Sequence, residues 1–217
     1  MKKIFILPLI IFLFSFSSLQ AQISKGSLLL GGNIGASTQK VEATSINTPF
    51  KQNSFTISPV FGKAIQENLV LGIDAGLSFY KQEQYDASSK QKQNSYSGGF
   101  FLRQYRPIGK GFYLFLQERL GYKYDDNNSN YTYGTESDFK RHTVALNVNP
   151  GVSYALNKKL HLEAGFNNLL YLNYSHEKGN NYNNSSPGSY KSNNFNAGAD
   201  LNGFSSLYIG FRVLLGK

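Results

Sequence analysis

The chain has 217 residues, with no cysteine, no tryptophan, one methionine, 21 glycines, 15 tyrosines and 17 phenylalanines, and a formal charge of +9 at pH 7. Without cysteine there is no disulfide framework, no thiolate metal site and no cysteine nucleophile. A mean hydropathy of −0.34, with Ile4–Phe14 as the longest apolar run, excludes a bundle of membrane-spanning helices.

Lys2 and Lys3, the apolar run Ile4–Phe14 and the small-residue stretch Ser15–Ala21 have the layout of a secretory signal peptide, with cleavage expected after Ala21. The expected organisation is a signal peptide over 1–21 and one domain over 22–217. The excess positive charge is scattered among Asn, Ser and Tyr, which argues against a nucleic-acid groove. It suits attraction to anionic lipid or lipopolysaccharide phosphate instead.

From Gly26 onward the apolar residues recur with period two, the signature of half-buried strands. Leu28, Leu30, Ile34 and Ala36 share a face in the first segment, and Phe55, Ile57, Pro59 and Phe61 in the second. The third sets Leu69, Leu71, Ile73, Ala75, Leu77 and Phe79 against Gly72, Asp74, Gly76 and Ser78. The fourth (about 95–107) and fifth (about 111–124) do not alternate cleanly. In the fifth, either Glu118 or the pair Gln117 and Arg119 must face the apolar side. Glu118 is expected inside and Arg119 near an interface, since a basic residue facing lipid at the midplane costs about 2–4 kcal/mol. The sixth sets Val144, Leu146, Val148, Val152 and Tyr154 against Asn147, Asn149 and Ser153, and the seventh sets Leu160, Leu162, Ala164 and Phe166 against His161 and Glu163. The last sets Leu207, Ile209, Phe211, Val213 and Leu215 against Tyr208, Gly210 and Arg212.

Long polar connections are expected at 39–52, 81–94, 125–138 and 175–194, and short turns near Ala64–Glu67, Ile108–Lys110 and Leu156–Lys159. Eight strands joined alternately by long and short connections predict an all-β chain, an eight-stranded antiparallel up-and-down transmembrane barrel. The short turns and both termini would then be periplasmic. The competing soluble barrel or sandwich needs a dry core, yet the face carrying glycine also carries Asp74, Glu163, Asp200, Asn202 and Arg212. Phe79, Tyr80, Tyr105, Phe112, Tyr113, Tyr122, Tyr124 and Tyr154 lie near the strand ends, where interface girdles belong.

Ser58-Pro59-Val60-Phe61-Gly62, Phe101-Leu102-Arg103, Pro150-Gly151-Val152-Ser153-Tyr154 and Ser206–Leu215 carry a resemblance to a known family. On these residues the chain resembles the small bacterial outer membrane protein beta-barrel domain family, similar in architecture to OmpA-type and OmpX-type barrels. The resemblance implies that Tyr208, Gly210, Val213 and Leu215 form the signal read by the barrel-insertion machinery. It departs at the end, Leu215-Gly216-Lys217, where such barrels usually finish on an aromatic residue. It implies a shared fold and no single activity.

The candidate site residues are the luminal charges Asp74, Arg103, Glu118, Glu163, Asp200 and Arg212, expected to form a structural network that fills the lumen. A conducting path through them is the alternative. A lipid-modifying enzyme would need a histidine and a serine or acid at the outer rim. His142 and His176 are the candidates there, while His161 is at the opposite end. No catalytic residue, cofactor or metal site is expected. The expected function is non-enzymatic, structural or surface-interacting, for a monomer in the outer membrane. Its partners would be membrane lipid, lipopolysaccharide, the insertion machinery and any external ligand of the four long connections, with nucleic acid excluded.

Overall fold

The computed structural model describes residues 23–42, 49–84, 89–131, 135–182, 188–199 and 207–216. The expected signal peptide and Asp200 lie outside them. Ten β segments follow in chain order: β1 Leu28–Val41, β2 Phe50–Gln66, β3 Leu69–Gln84, β4 Ser89–Gly109, β5 Phe112–Tyr131, β6 Thr135–Ala155, β7 Leu160–Phe166, β8 Leu170–Tyr182, β9 Gly188–Ala199 and β10 Leu207–Leu215.

Every pairing is antiparallel, and the ten segments make eight barrel strands. The segments β7 and β8 are successive halves of one strand, since β6 pairs with β7 through Gly151–Ala155 and with β8 through Glu136–Val148. The break falls at Asn167–Leu169, where Asn168 takes a left-handed φ of 57° and Asn149 Oδ1 accepts its backbone N–H at 2.7 Å. The segments β9 and β10 are likewise one strand in two pieces, pairing with β8 and β7. The barrel closes where Leu28–Gly31 of β1 meets Arg212–Leu215 of β10.

The strands are longer than the sequence suggests. The polar stretches expected as loops are mostly strand, so that β4, β5 and β6 reach 21, 20 and 21 residues. Backbone ladders continue through them because cross-strand polar pairs replace apolar ones. Thr38 bonds Asn53 and Ser95 bonds Asp125. Polar composition on both faces hides a strand from a pattern search tuned to apolar alternation.

The outward face of the other half of the barrel is apolar. Leu71, Ile73, Phe100 and Leu120 are 49%, 51%, 67% and 54% exposed. A continuous belt of this kind belongs in hydrocarbon rather than water. Rings border it: Phe112 packs on Tyr154 with centroids 4.4 Å apart toward the short turns, and Tyr96, Tyr122 and Tyr174 stand exposed toward the long hairpins. Tyr105 and Tyr113, expected in the girdle, are instead buried within the barrel.

The short-turn end of the lumen is not polar throughout. Leu29, Val70, Phe101, Tyr105, Tyr113, Phe115 and Leu214 form a small apolar core inside the barrel. Two glycines make room for it. A Cβ on Gly72 would strike the Phe101 ring and the Phe61 carbonyl, and one on Gly151 would strike the Phe115 ring and the Ala164 carbonyl. Each inward ring thus lies on the bare backbone of a neighbouring strand, an arrangement that supplies the surface a glycine lacks.

Candidate functional site

Strict alternation sends odd-numbered residues of β4, β5 and β7 into the lumen together with the even-numbered ones of β10. Arg103, Glu163 and Arg212 meet directly above the apolar core, at 1%, 0% and 3% exposure. Arg103 Nη1 donates to both Glu163 oxygens at 2.9 and 2.8 Å, and Tyr105 Oη donates to Oε1 at 2.9 Å. Arg212 Nε lies 3.3 Å from Oε2, outside hydrogen-bond geometry, while its Nη1 donates to the Phe211 carbonyl at 3.0 Å. Arg103 Nε donates to Gln117 at 2.8 Å and its guanidinium sits 4.6 Å from the Phe115 ring centroid. Two cations therefore share one carboxylate in a water-poor floor, an arrangement that holds only while every partner is present.

A second pair lies further along. Arg119 Nε donates to Asp74 Oδ2 at 2.7 Å and Nη2 to Oδ1, a bidentate fork at 13–19% side-chain exposure. Between and beyond these pairs is a cavity of about 920 Å³, lined by Ser58, Asn147, Asn149, Tyr171, Asn173 and Asn196 among others.

Of the expected network, Arg103, Glu163 and Arg212 come together, and Asp74 joins Arg119 rather than them. Glu118 does not enter the lumen. It is exposed on the lipid-facing side of β5 with Leu116 and Leu120, opposite Leu102 of β4 and Val148 of β6. The facing expected for β5 is therefore reversed, with Gln117 and Arg119 inside. The reason is that Tyr113 and Phe115 share their parity and fill the core. One outward carboxylate also costs less than an outward arginine. Gln117 and Tyr105 were legible as members of the network only once the parity of β4 and β5 was known.

The residues of the expected insertion signal divide between faces. Tyr208 and Gly210 point inward with Arg212 and Leu214, whereas Val213 and Leu215 share the outward face of Ile209 and Phe211. His161 is buried, its Nδ1 3.1 Å from Ser153 Oγ. His142 and His176 sit directly opposite each other on the outward face. Tyr122 Oη lies 2.6 Å from His142 Nδ1, and His176 Nδ1 lies 2.7 Å from Asn193 Oδ1.

Beyond the belt the hairpins carry ordered polar rows. Inward, Arg141 donates to Glu177 and Tyr190 Oη donates to the same carboxylate at 2.7 Å. Burial, reinforced by that carboxylate, pushes the Tyr190 phenol above its ordinary range. Outward, Lys140 of β6 stands opposite Lys178 of β8, and Lys178 opposite Lys191 of β9.

A family comparison agrees with this geometry. The outer membrane protein beta-barrel domain family matches residues 7–202, and the barrel continues past that match through Leu215. No curated protein matches. Among solved structures, the ferric yersiniabactin uptake receptor FyuA from Yersinia pestis is similar over 73% of this chain, at 8% identity and a TM-score of 0.43. The chain spans about a quarter (26%) of that receptor's length. With a family match over most of its length and the closed eight-stranded barrel above, the chain belongs to the outer membrane protein beta-barrel domain family.

Proposed function

We propose that this outer-membrane barrel is a non-enzymatic, monomeric envelope component whose interactions run through the hairpins standing beyond the membrane. The long hairpins face outward from the cell and the short turns face the periplasm. The observation that carries this reading is strand length. About 9–11 residues cross a bilayer as tilted strand, whereas β4, β5 and β6 run to 21, 20 and 21. Roughly half of each therefore forms an ordered sheet outside the hydrocarbon layer. Long ladders with Tyr, Asn, Ser and Lys side chains are costly to build unless the surface they present is used. The packed floor around Arg103, Glu163 and Arg212 supports a closed lumen.

The test is complementation of a deletion strain by the full chain and by a variant whose residues 125–138 are replaced by a tight turn. Both should give a heat-modifiable band and resist protease from the periplasmic side. The shortened form should lose adhesion or detergent resistance. Full complementation by the shortened form would refute the hairpin role. The cavity favours a second reading, a narrow conduit. That reading predicts discrete conductance in planar bilayers that changes in Arg103→Gln, where the first predicts silence.

A further inference from the structure

The rows of side chains on β5, β6, β8 and β9 change chemistry in a fixed order along the outward face. Leu146, Leu172 and Ala197 form one row, and Val144, Tyr174 and Phe195 the next. His142, His176 and Asn193 follow, and then Lys140, Lys178 and Lys191. Directly opposed residues on neighbouring strands have Cβ atoms about 4.5–5.5 Å apart, and like charges so placed repel. Lys178 has a lysine on both sides.

The chain offers little to offset this. The carboxylates facing the row are Asp126, opposite Lys140, and Asp138, two residues along β6, which accepts from Asn180 Nδ2 at 3.3 Å. Glu177 points inward to Arg141 and Tyr190. Among the described residues none of the three lysines forms an ion pair. Asn193 Oδ1 accepts from Tyr174 Oη at 3.0 Å and lies 2.7 Å from His176 Nδ1, which fixes the rings beneath the lysines.

Resting on the outward orientation proposed above, we infer that these rows form a binding site for a phosphorylated, acylated lipid of the outer leaflet. Its phosphate lies on Lys140, Lys178 and Lys191, and its acyl chains lie against Tyr174 and Phe195. The spacing fits. Lys178 is four positions beyond Tyr174, roughly 13 Å along a tilted strand, which carries the ammonium groups from the edge of the hydrocarbon to the headgroup layer. A free inorganic anion would use the lysines and leave the apolar base unexplained, so the structure favours the amphiphile. The three opposed cations then have a counter-charge beyond what Asp126 and Asp138 supply.

The experiment uses the full folded chain in detergent micelles, titrated with diphosphoryl lipid A and read by native mass spectrometry. Lys140→Gln/Lys178→Gln/Lys191→Gln is compared with Lys63→Gln/Lys110→Gln/Lys158→Gln, which removes the same charge from exposed positions at the short-turn end. The row variant should bind roughly tenfold more weakly and the control less than about twofold. Lipid A stripped of phosphate should lose affinity for the unaltered chain by a similar factor. Equal weakening in both variants would reduce the site to net charge and overturn it, as would an unaffected row variant. Saturable binding of inorganic phosphate alone would overturn the lipid assignment. Heat-modifiable mobility of each protein is checked in parallel, because its loss in the unaltered chain strikes the barrel reading and not the lipid site.

Discussion

Replacing Glu163 with alanine is the most informative single change, because the carboxylate is fully buried and accepts from both Arg103 Nη1 and Tyr105 Oη, with Arg212 Nε 3.3 Å away. Removing one partner of a buried ion pair costs about 3–5 kcal/mol, since the remaining charge stays buried without its counter-charge. Here two guanidiniums are stranded. Arg103 keeps Gln117 at 2.8 Å and the Phe115 ring, and Arg212 keeps the Phe211 carbonyl. These offsets place the loss near the lower bound, about 3 kcal/mol. Glu163→Gln preserves one acceptor oxygen and removes the charge, for a smaller loss of about 1.5–2 kcal/mol. The combination Arg103→Met/Glu163→Leu/Arg212→Met removes every charge and should return to within about 1 kcal/mol of the unaltered chain. The assay is equilibrium urea unfolding of refolded protein in micelles, with folded and unfolded fractions read from the gel-mobility shift. With a slope of about 2 kcal/mol/M, Glu163→Ala should lower the midpoint by about 1.5 M. A midpoint within about 0.3 M of the unaltered chain would refute the reasoning, because the floor would then be hydrated enough for the guanidiniums to need no partner.

Three further predictions use the same gel-shift readout of unfolding, the first of them in vesicles. Glu118→Leu should stabilise the barrel by about 1–2 kcal/mol in lipid vesicles, because it removes a carboxylate from the apolar belt, and a loss of stability would show that Glu118 contacts something there. Gly151→Val should cost about 2–3 kcal/mol, since its side chain must displace the Phe115 ring or the Ala164 carbonyl. A neutral result would mean that the ring has another rotamer open to it. Asp74→Asn should cost about 1–2 kcal/mol, less than Glu163→Ala, because the Arg119 fork is 13–19% exposed and water screens what remains. Equal losses at the two carboxylates would contradict the difference in burial.

How legible the barrel was in the sequence varied with the sharpness of each strand's alternation. In β3, Leu71–Phe79 alternates without interruption, and Leu71, Ile73, Leu77 and Phe79 face lipid as read, while Val70 turns inward to the core. In β5 the signal is contradictory. Tyr113 and Phe115 are apolar and inward while Glu118 is polar and outward, so residue type alone points the wrong way. Only the pairing of Arg119 with Asp74, two strands away, and of Gln117 with Arg103 on the adjacent strand resolves it. The hairpin extensions failed for a different reason. Inward Ser95, Asp125 and Asn127 are polar and so are outward Asn94, Asp126 and Asn128, which leaves no hydrophobic period to detect. The charges Arg103, Glu163 and Arg212 were legible as luminal, but their convergence on one carboxylate depends on where strands with independent stagger meet.

Arg212 belongs to two structures at once. It lies in the four-residue stretch of β10 that pairs with Leu28–Gly31, and its guanidinium sits beside Glu163. The two ends of the chain are about as distant in sequence as any residues can be, so this junction carries the largest loop-closure cost and completes the cylinder late. Pairing of β10 with β7 already sets Arg212 beside Glu163, and zipping the first strand to the last curls the sheet so that Arg103 of β4 meets them across the lumen floor. An insertion intermediate with the β1–β10 seam still open would hold Arg212 and Glu163 together on one wall, with Arg103 of β4 still apart from them and the interior open to the side. The finished wall and the sealed interior thus arrive in a single step, and a barrel that has not closed leaves Arg103 without its carboxylate.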